Sequence, residues 1–219
     1  MRAHLVWDWN GTLFDDVEAV VAASNAAMAE IDLAPLTVEE YRERYRIPVI
    51  DFYVALLGRR PSPEEWERMD ASFHRHYSDR RDGCGLTAGA ERVLRDWSGS
   101  QSLLSMYGHA ELVPLVRRFG LERHFLRVDG RVSAGGLSGK SEHLARHLEA
   151  LAAHGDIVPS RTVLIGDVVD DARAAAHVGA HAVLFAGGAH ARRDLEAVGV
   201  PVADTLDEAV GYARELVES

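Results

Sequence analysis

The spacing of apolar residues changes character along the chain. Residues 4–8, HLVWD, form a short apolar run that ends in an acid, and Asn10-Gly11-Thr12 follow at once. A strand running into a tight glycine-containing loop fits this pattern. From Val17 the sequence VEAVVAASNAAMAEI carries its apolar residues at helical spacing behind Asp15-Asp16, acids suited to capping. The stretch from there to about residue 82 reads as helical, broken at Pro35, at Pro48 and over Gly58–Pro63, with no strand-type alternation.

Beyond Gly83-Cys84-Gly85 strands and helices alternate. GAERVLRDWSGS predicts a helix and QSLLSM a strand; AELVPLVRRFGL predicts a helix with Pro114 near its first turn, where proline is tolerated. A short apolar FLRV follows, then a helix over SEHLARHLEALAAH and a strand over RTVLIGD. DDARAAAHVG predicts a helix closed by Gly179, ahead of a strand HAVLFA, a helix ARRDLEAVG, a short PVAD and a last helix from Thr205 to Val217. Such alternation predicts an α/β fold, a parallel sheet covered on both faces. The expected organisation is a split core, residues 1–14 and 86–219, interrupted by a helical insert over 15–85. Short crossings at the two ends of the insert are placed to act as hinges.

A length of 219 residues suits one domain, or a core with a modest insert, at roughly 150 residues per domain. With 47% hydrophobic and 26% charged residues, the composition excludes disordered, collagen-like and coiled-coil chains. No apolar run approaches the roughly 18 residues of a membrane span, and MRAHLVWDWNGTL lacks the apolar core of a signal peptide. The single cysteine, Cys84, forbids an internal disulfide and suits a reducing, cytoplasmic setting. A net charge of −10 argues against sequence-independent nucleic-acid binding, which needs a basic face. Of the 24 basic residues, 23 are arginine, which singles out the one lysine, Lys140.

Open α/β sheets bind ligands beyond the carboxyl ends of their strands, where the strand order reverses. The polar residues fall at those ends. The first strand ends in Asp8, the next core strand in Ser105 and the RTVLIGD strand in Gly166-Asp167, while Lys140 starts a helix. Taken singly, the acids read as turn residues, Ser105 as a cap and Lys140 as a solvated lysine. Their joint order along one α/β chain points to chemistry on a common rim.

With these residues in place, the sequence resembles the haloacid dehalogenase superfamily, mostly phosphatases with an aspartate nucleophile. The resemblance rests on DWNGT at 8–12, Ser105 after an apolar strand, Lys140, and GDVVDD at 166–171, and the insert sits where that superfamily places a helical cap. It implies a Rossmann-like core, a cap that closes over a small phosphorylated metabolite, and Mg²⁺ as cofactor. Asp8 is implied as the nucleophile, forming an aspartyl-phosphate. Asp8, the backbone carbonyl of Asn10 and Asp167 would hold the metal, with Asp171 ligating or orienting that set and Asp170 pointing elsewhere. Lys140, Ser105 and backbone N–H groups after Asp8, with Gly11 and Thr12 in that loop, would grip the phosphoryl oxygens. Phosphoglycolate phosphatase is the conventional expectation for such a cap and core; oligomeric state is not legible.

The chain departs from the family pattern at position 10. Family phosphatases place a second aspartate two residues after the nucleophile, to protonate the leaving oxygen and later activate water, a role worth about 10²–10⁴-fold. Here the residue is Asn10, whose amide cannot trade a proton that way. Three readings follow: a phosphatase acting on a good leaving group or using another base such as His109; a protein that hydrolyses its aspartyl-phosphate slowly; or a phosphate-binding or regulatory protein. Asn10 also disfavours a mutase, which needs that aspartate. The paired acids Asp167 and Asp171 disfavour a metal-free dehalogenase, and an insert without lysine excludes a phosphonate-cleaving Schiff base.

Other signals weigh less. His143 and His147 are spaced i, i+4 as in zinc sites but have no completing ligands nearby, and read as solvated or capping; His74 and His76 lack partners. Trp66, Phe73 and Tyr77 share helical spacing and read as packing of the insert. Arg42, Arg44 and Arg46 could select an anionic group, although Asp15 to Thr87 holds 9 arginines against 15 acids, a net of −6, so a solvated face is expected. The IPVIDFYV segment, 47–54, could line a pocket or pack the insert.

Overall fold

The computed structural model describes residues 3–132, 139–153 and 157–218. In chain order, β1 (His4–Trp7) and β2 (Phe14–Asp15) precede four helices, α1 (Val17–Ala29), α2 (Val38–Arg44), α3 (Val49–Leu57) and α4 (Pro63–Arg81). Then come β3 (Gly85–Leu86), α5 (Ala90–Asp96), β4 (Ser100–Gly108), α6 (His109–Arg118) and β5 (Val128–Arg131). The chain closes through α7 (Ser141–Ala152), β6 (Thr162–Gly166), α8 (Val169–Val178), β7 (His181–Phe185), α9 (Arg192–Glu196), β8 (Val202–Ala203) and α10 (Leu206–Glu218). The FLRV segment enters the sheet only at its last residue, since the strand there is Val128–Arg131. His154, at the end of the expected helix over α7, lies outside the described residues.

Six strands form one parallel sheet in the order β5-β4-β1-β6-β7-β8. Side chains alternate across its two faces. Leu5 and Trp7 of β1, with Val163 and Ile165 of β6 and Val183 of β7, enter a core shared with α5, α6 and α10. Val6, Leu164, Ala182 and Leu184 face the other way, into a core completed by α7 and α8. Two buried faces explain the near-continuous apolar strands. Each fully buried Val, Leu or Ile contributes about 1.5–3 kcal/mol. Gly179, at φ +75°, ends α8 in the left-handed conformation expected of a helix-stopping glycine.

The insert has its own core, with Val21, Met28, Tyr41, Phe52 and Met69 fully or nearly buried. Helices α2 and α4 start with capping boxes, Thr37 with Glu40 and Ser62 with Glu65, each satisfying two backbone donors. Asp16 departs from its expected role. It occupies the N-cap position of α1 but makes no side-chain capping bond, because its carboxylate is turned back toward the β1 loop. The two crossings pair with each other as an antiparallel ribbon, Phe14 with Leu86 and Asp15 with Gly85, too short for any periodicity to announce. No helix among the described residues is long and apolar enough to cross a membrane.

Candidate active site

The strand order reverses on the two sides of β1, so the crevice expected in an open α/β sheet lies beyond its carboxyl end. Asp8 sits there. Its N–H continues the ladder to Ile165 O at 2.9 Å, and the residue is 7% exposed. The neighbouring strands deliver Ser105 and Asp167, both buried. Lys140 precedes α7, and its Nζ reaches Asp8 Oδ1 in a very short contact and Asp171 Oδ1 at 2.7 Å. Asp170, expected to point elsewhere, lines the same cavity and accepts the Lys140 backbone N–H at 2.8 Å, because the start of α8 faces the residue before α7.

Carboxylate oxygens of Asp8, Asp167 and Asp171 lie within 4.8 Å of one another, all three residues buried. Burial pushes the Asp8 pKa up to about 6; Lys140 opposes that shift and the Asp171 charge adds to it. Burial, with the charges of Asp8 and Asp171, holds Asp167 well above the ordinary carboxylate range. Burial alone would lower Lys140, but the charges and hydrogen bonds of Asp171 and Asp8 outweigh it and hold the ammonium protonated. Three carboxyl groups gathered around one ammonium, two of them raised by burial and by neighbouring carboxylate charge, offer the oxygen ligands that a hard divalent cation takes. Backbone at Gly11 and Gly188 wraps Asp167: a Cβ on either would come within 2.5 Å or less of Asp167 Oδ2. Gly11 also lies at φ +70°, where a side chain is strained. Asp167 accepts from Ala189 N at 2.7 Å and from Thr12 Oγ1 at 3.4 Å.

Asn10 is bound on every side. Its Nδ2 donates to Asp16 Oδ2 at 2.6 Å and to the Tyr77 hydroxyl at 2.8 Å, and its Oδ1 accepts from Ser105 Oγ at 3.4 Å. The Tyr77 hydroxyl itself donates to Asp16 Oδ2 at 2.6 Å, and Gly11 N–H donates to Asp16 Oδ1 at 2.8 Å. Burial raises the Asp16 pKa against the pull of these donors, and burial with the Asp16 charge raises that of Tyr77, which stays a hydroxyl donor.

A haloacid dehalogenase-like hydrolase family model matches residues 3–179. The chain belongs to that family. No curated protein sequence matches it. Among solved structures it is similar to a predicted phosphatase from Clostridium acetobutylicum, at 16% identity and TM-score 0.81 with all of both chains covered. It is similar to a predicted phosphoglycolate phosphatase from Haemophilus somnus, at 15% identity and TM-score 0.73 over 96% of this chain and 97% of that one. It also resembles Protein Tyrosine Kinase A of Mycobacterium tuberculosis, at 24% identity and TM-score 0.74 over 97% and 98%. At these identities the likeness is one of fold.

In this haloacid dehalogenase-like hydrolase a cavity of about 430 Å³ opens between the carboxylates and the insert. Asp8, Asn10, Gly11, Ser105, Lys140, Asp167 and Asp171 line it, so seven of the eight residues singled out from the motifs meet there. Thr12 does not; it is fully buried beneath Asp167. The 47–54 segment both packs and lines, through Ile47, Pro48, Val49, Phe52 and Tyr53.

The lesser signals resolve one by one, with Arg44 and Arg46 exposed as a solvated face predicts. Arg42 donates to Gly188 O and Gly187 O at 2.8 Å, Arg46 donates to Tyr45 O at 2.6 Å, and neither they nor Arg44 line the cavity. His109 accepts Gly130 N–H through Nδ1 and also stays outside it. His147 is buried, bonded to Asp129 at 2.7 Å and Ser102 at 2.8 Å, because α7 turns that face onto the sheet. His74 has a partner, Asp70 at 3.4 Å. Asp16 and the Tyr77 hydroxyl were missed. The acid beyond the motif read as a helix cap and the tyrosine as packing, and only the fold of α4 onto the β1 loop joins them.

Proposed function

We propose that this chain is a Mg²⁺-dependent phosphatase that hydrolyses a small phosphorylated metabolite through an aspartyl-phosphate on Asp8. The observation that carries the reading is the buried Asp8–Asp167–Asp171 cluster, its carboxylates within 4.8 Å of one another, with Lys140 bonded to two of them. Asp8, the Asn10 backbone carbonyl, Asp167 and Asp171 would hold the cation. When bound, Mg²⁺ would supply Lewis-acid charge that offsets the phosphate dianion.

Asp8 supplies the attacking oxygen, and the bond from phosphorus to the leaving oxygen breaks with its electron pair on that oxygen. Lys140 keeps Asp8 ionised and, with the Ser105 hydroxyl, binds the transferring oxygens. Gly11 shapes the loop beside them, while Thr12 supports Asp167 from beneath rather than binding phosphate. Water then attacks the aspartyl-phosphate, releasing phosphate and the Asp8 carboxylate. Helices α1–α4, over 15–85, act as a cap that excludes bulk water and large substrates from the core formed by 1–14 and 86–219. The cavity size favours a small molecule over duplex nucleic acid or a membrane surface.

One observation favours a second reading, a weakened phosphate-binding or regulatory protein: the Asn10 amide is fully committed to Asp16, Tyr77 and Ser105. Mg²⁺-dependent phosphate release from a metabolite panel, by wild type and Asp8→Ala, separates them. Turnover lost in Asp8→Ala supports the phosphatase. Phosphate and metal binding without turnover supports the second reading and overturns the first.

A further inference from the structure

We infer that the substrate of this site is an aryl phosphate monoester, which leaves as a phenolate. The inference rests on the phosphatase reading above and adds the class of substrate to it. Its first support is the chemistry of departure. An alkyl alcohol is so weak an acid that its oxygen needs a proton as the P–O bond breaks, whereas a phenol ionises near pH 10, as a tyrosine side chain does. Position 10 has no proton to give, since Asn10 is an amide whose Nδ2 is shared between Asp16 and Tyr77. His109 bonds the Gly130 N–H and does not line the cavity. The His74–Asp70 pair lines the cavity from α4, but both side chains are more than half exposed and paired with each other. The lining hydroxyls of Tyr45, Tyr53 and Tyr107 are raised above the ordinary phenol range by burial, which makes them poor proton donors. A leaving group that departs as its own anion matches such a site.

The second support is independent of the first. The cavity wall beyond the carboxylates is apolar and aromatic, with Val20, Phe52, Trp66, Met69 and Phe73 from the insert and Met106 from the core. Aromatic rings at a wall of this kind receive another ring edge-on or offset. Lys140 and Arg131 are the only lysine or arginine among the described residues lining the cavity; both come from the core, and Lys140 is held by Asp8 and Asp171. The insert therefore presents no lysine or arginine, so a second carboxylate on the substrate would have Arg131 of the core as its one such partner among the described residues, whereas a neutral ring needs none. A small acyl phosphate such as acetyl phosphate also leaves easily but has no ring to place against this wall.

The step balances without a further reactant except water. The Asp8 oxygen bonds to phosphorus, the bond from phosphorus to the aryl oxygen breaks, and its electron pair stays on the phenolate, which takes a proton from solvent. Water then adds to phosphorus as the aspartyl–oxygen bond to phosphorus breaks, giving inorganic phosphate and the free carboxylate, with the water's protons passing to phosphate and solvent.

The test compares phenyl phosphate, benzyl phosphate, acetyl phosphate and 2-phosphoglycolate with wild type and Asp8→Ala in Mg²⁺. Benzyl phosphate keeps the ring but leaves as an alkoxide; acetyl phosphate leaves easily but has no ring. The expected result is an Asp8-dependent kcat/KM for phenyl phosphate about 100-fold or more above benzyl phosphate, the lower limit of a general acid's contribution. Its KM should lie about tenfold or more below that of acetyl phosphate, the order of a well-filled apolar contact. Benzyl phosphate within about threefold of phenyl phosphate, acetyl phosphate bound as tightly, or 2-phosphoglycolate preferred would overturn the aryl assignment and leave the phosphatase reading standing. No Asp8-dependent release from any of the four overturns both.

Discussion

Replacing Lys140 by methionine isolates the electrostatics of the site, because the stem is retained and only the charge goes. Lys140 is 3% exposed and contacts Asp8 and Asp171 directly. Two carboxylates at the 4.8 Å limit of the cluster repel by about 3 kcal/mol at an effective dielectric near 20. Removing one partner of a buried ion pair costs about 3–5 kcal/mol. The protein limits that loss by taking up a proton, and Asp8, already raised to about 6, is a ready acceptor. The expected loss is therefore about 3 kcal/mol near pH 8 and about 1 kcal/mol near pH 5. The sign follows from the raised pKa. Below about 6 Asp8 is protonated in the native state, so there is less charge for the lysine to offset. Lysine itself stays protonated in both folded and unfolded chains across this range. Urea unfolding of wild type and Lys140→Met with a chelator present, at both pH values, measures the difference. Mg²⁺ at millimolar level should restore more stability to the variant than it adds to wild type. A loss below about 1 kcal/mol near pH 8, or an equal loss at the two pH values, would refute the reasoning.

Two further outcomes are expected. A Cβ on Gly188 would lie 2.1 Å from Asp167 Oδ2, so Gly188→Ala should displace that carboxylate and weaken Mg²⁺ binding about 10–100-fold by calorimetry; unchanged affinity would remove Asp167 from the metal site. His4 is 1% exposed, and burial, with His147 nearby, lowers its pKa to about 4. A depressed histidine gives stability that is complete above the unfolded value near 6.5 and is lost as pH falls toward 4, up to about 3 kcal/mol. Urea midpoints in His4→Asn should lose most of that slope, and an unaltered slope would assign it elsewhere.

Most of the core was legible because a parallel sheet buried on both faces leaves a strong local signature. Runs such as RTVLIGD and HAVLFA alternate with helices whose stops are marked by residues like Gly179. The candidate site was legible in its motif residues for a related reason. Asp8 and Asp167 each directly follow a strand and Ser105 lies three residues before the end of β4, which runs on past the QSLLSM segment to Gly108, so a one-dimensional reading already places them near the same rim. The β2–β3 ribbon was not legible, since two residues carry no period. Nor was His147, whose polar identity suggested solvent until Asp129 and Ser102 supplied partners from two other strands.

Local chemistry along the chain thus dictated the α/β class, the helical insert and the residues at the strand ends. Contacts between distant segments were decided only in three dimensions. The strand order put β1 at the centre and made Asp8 the hub, and Lys140 met Asp8 and Asp171 from positions 132 and 31 residues away. The folding of α4 over the β1 loop closed the Asn10–Asp16–Tyr77 network, whose members span 67 residues. Periodicity and capping act over one or two turns and are written in neighbouring residues. The burial of a charge and the choice of its partner depend on which surfaces pack together, and no local pattern encodes that.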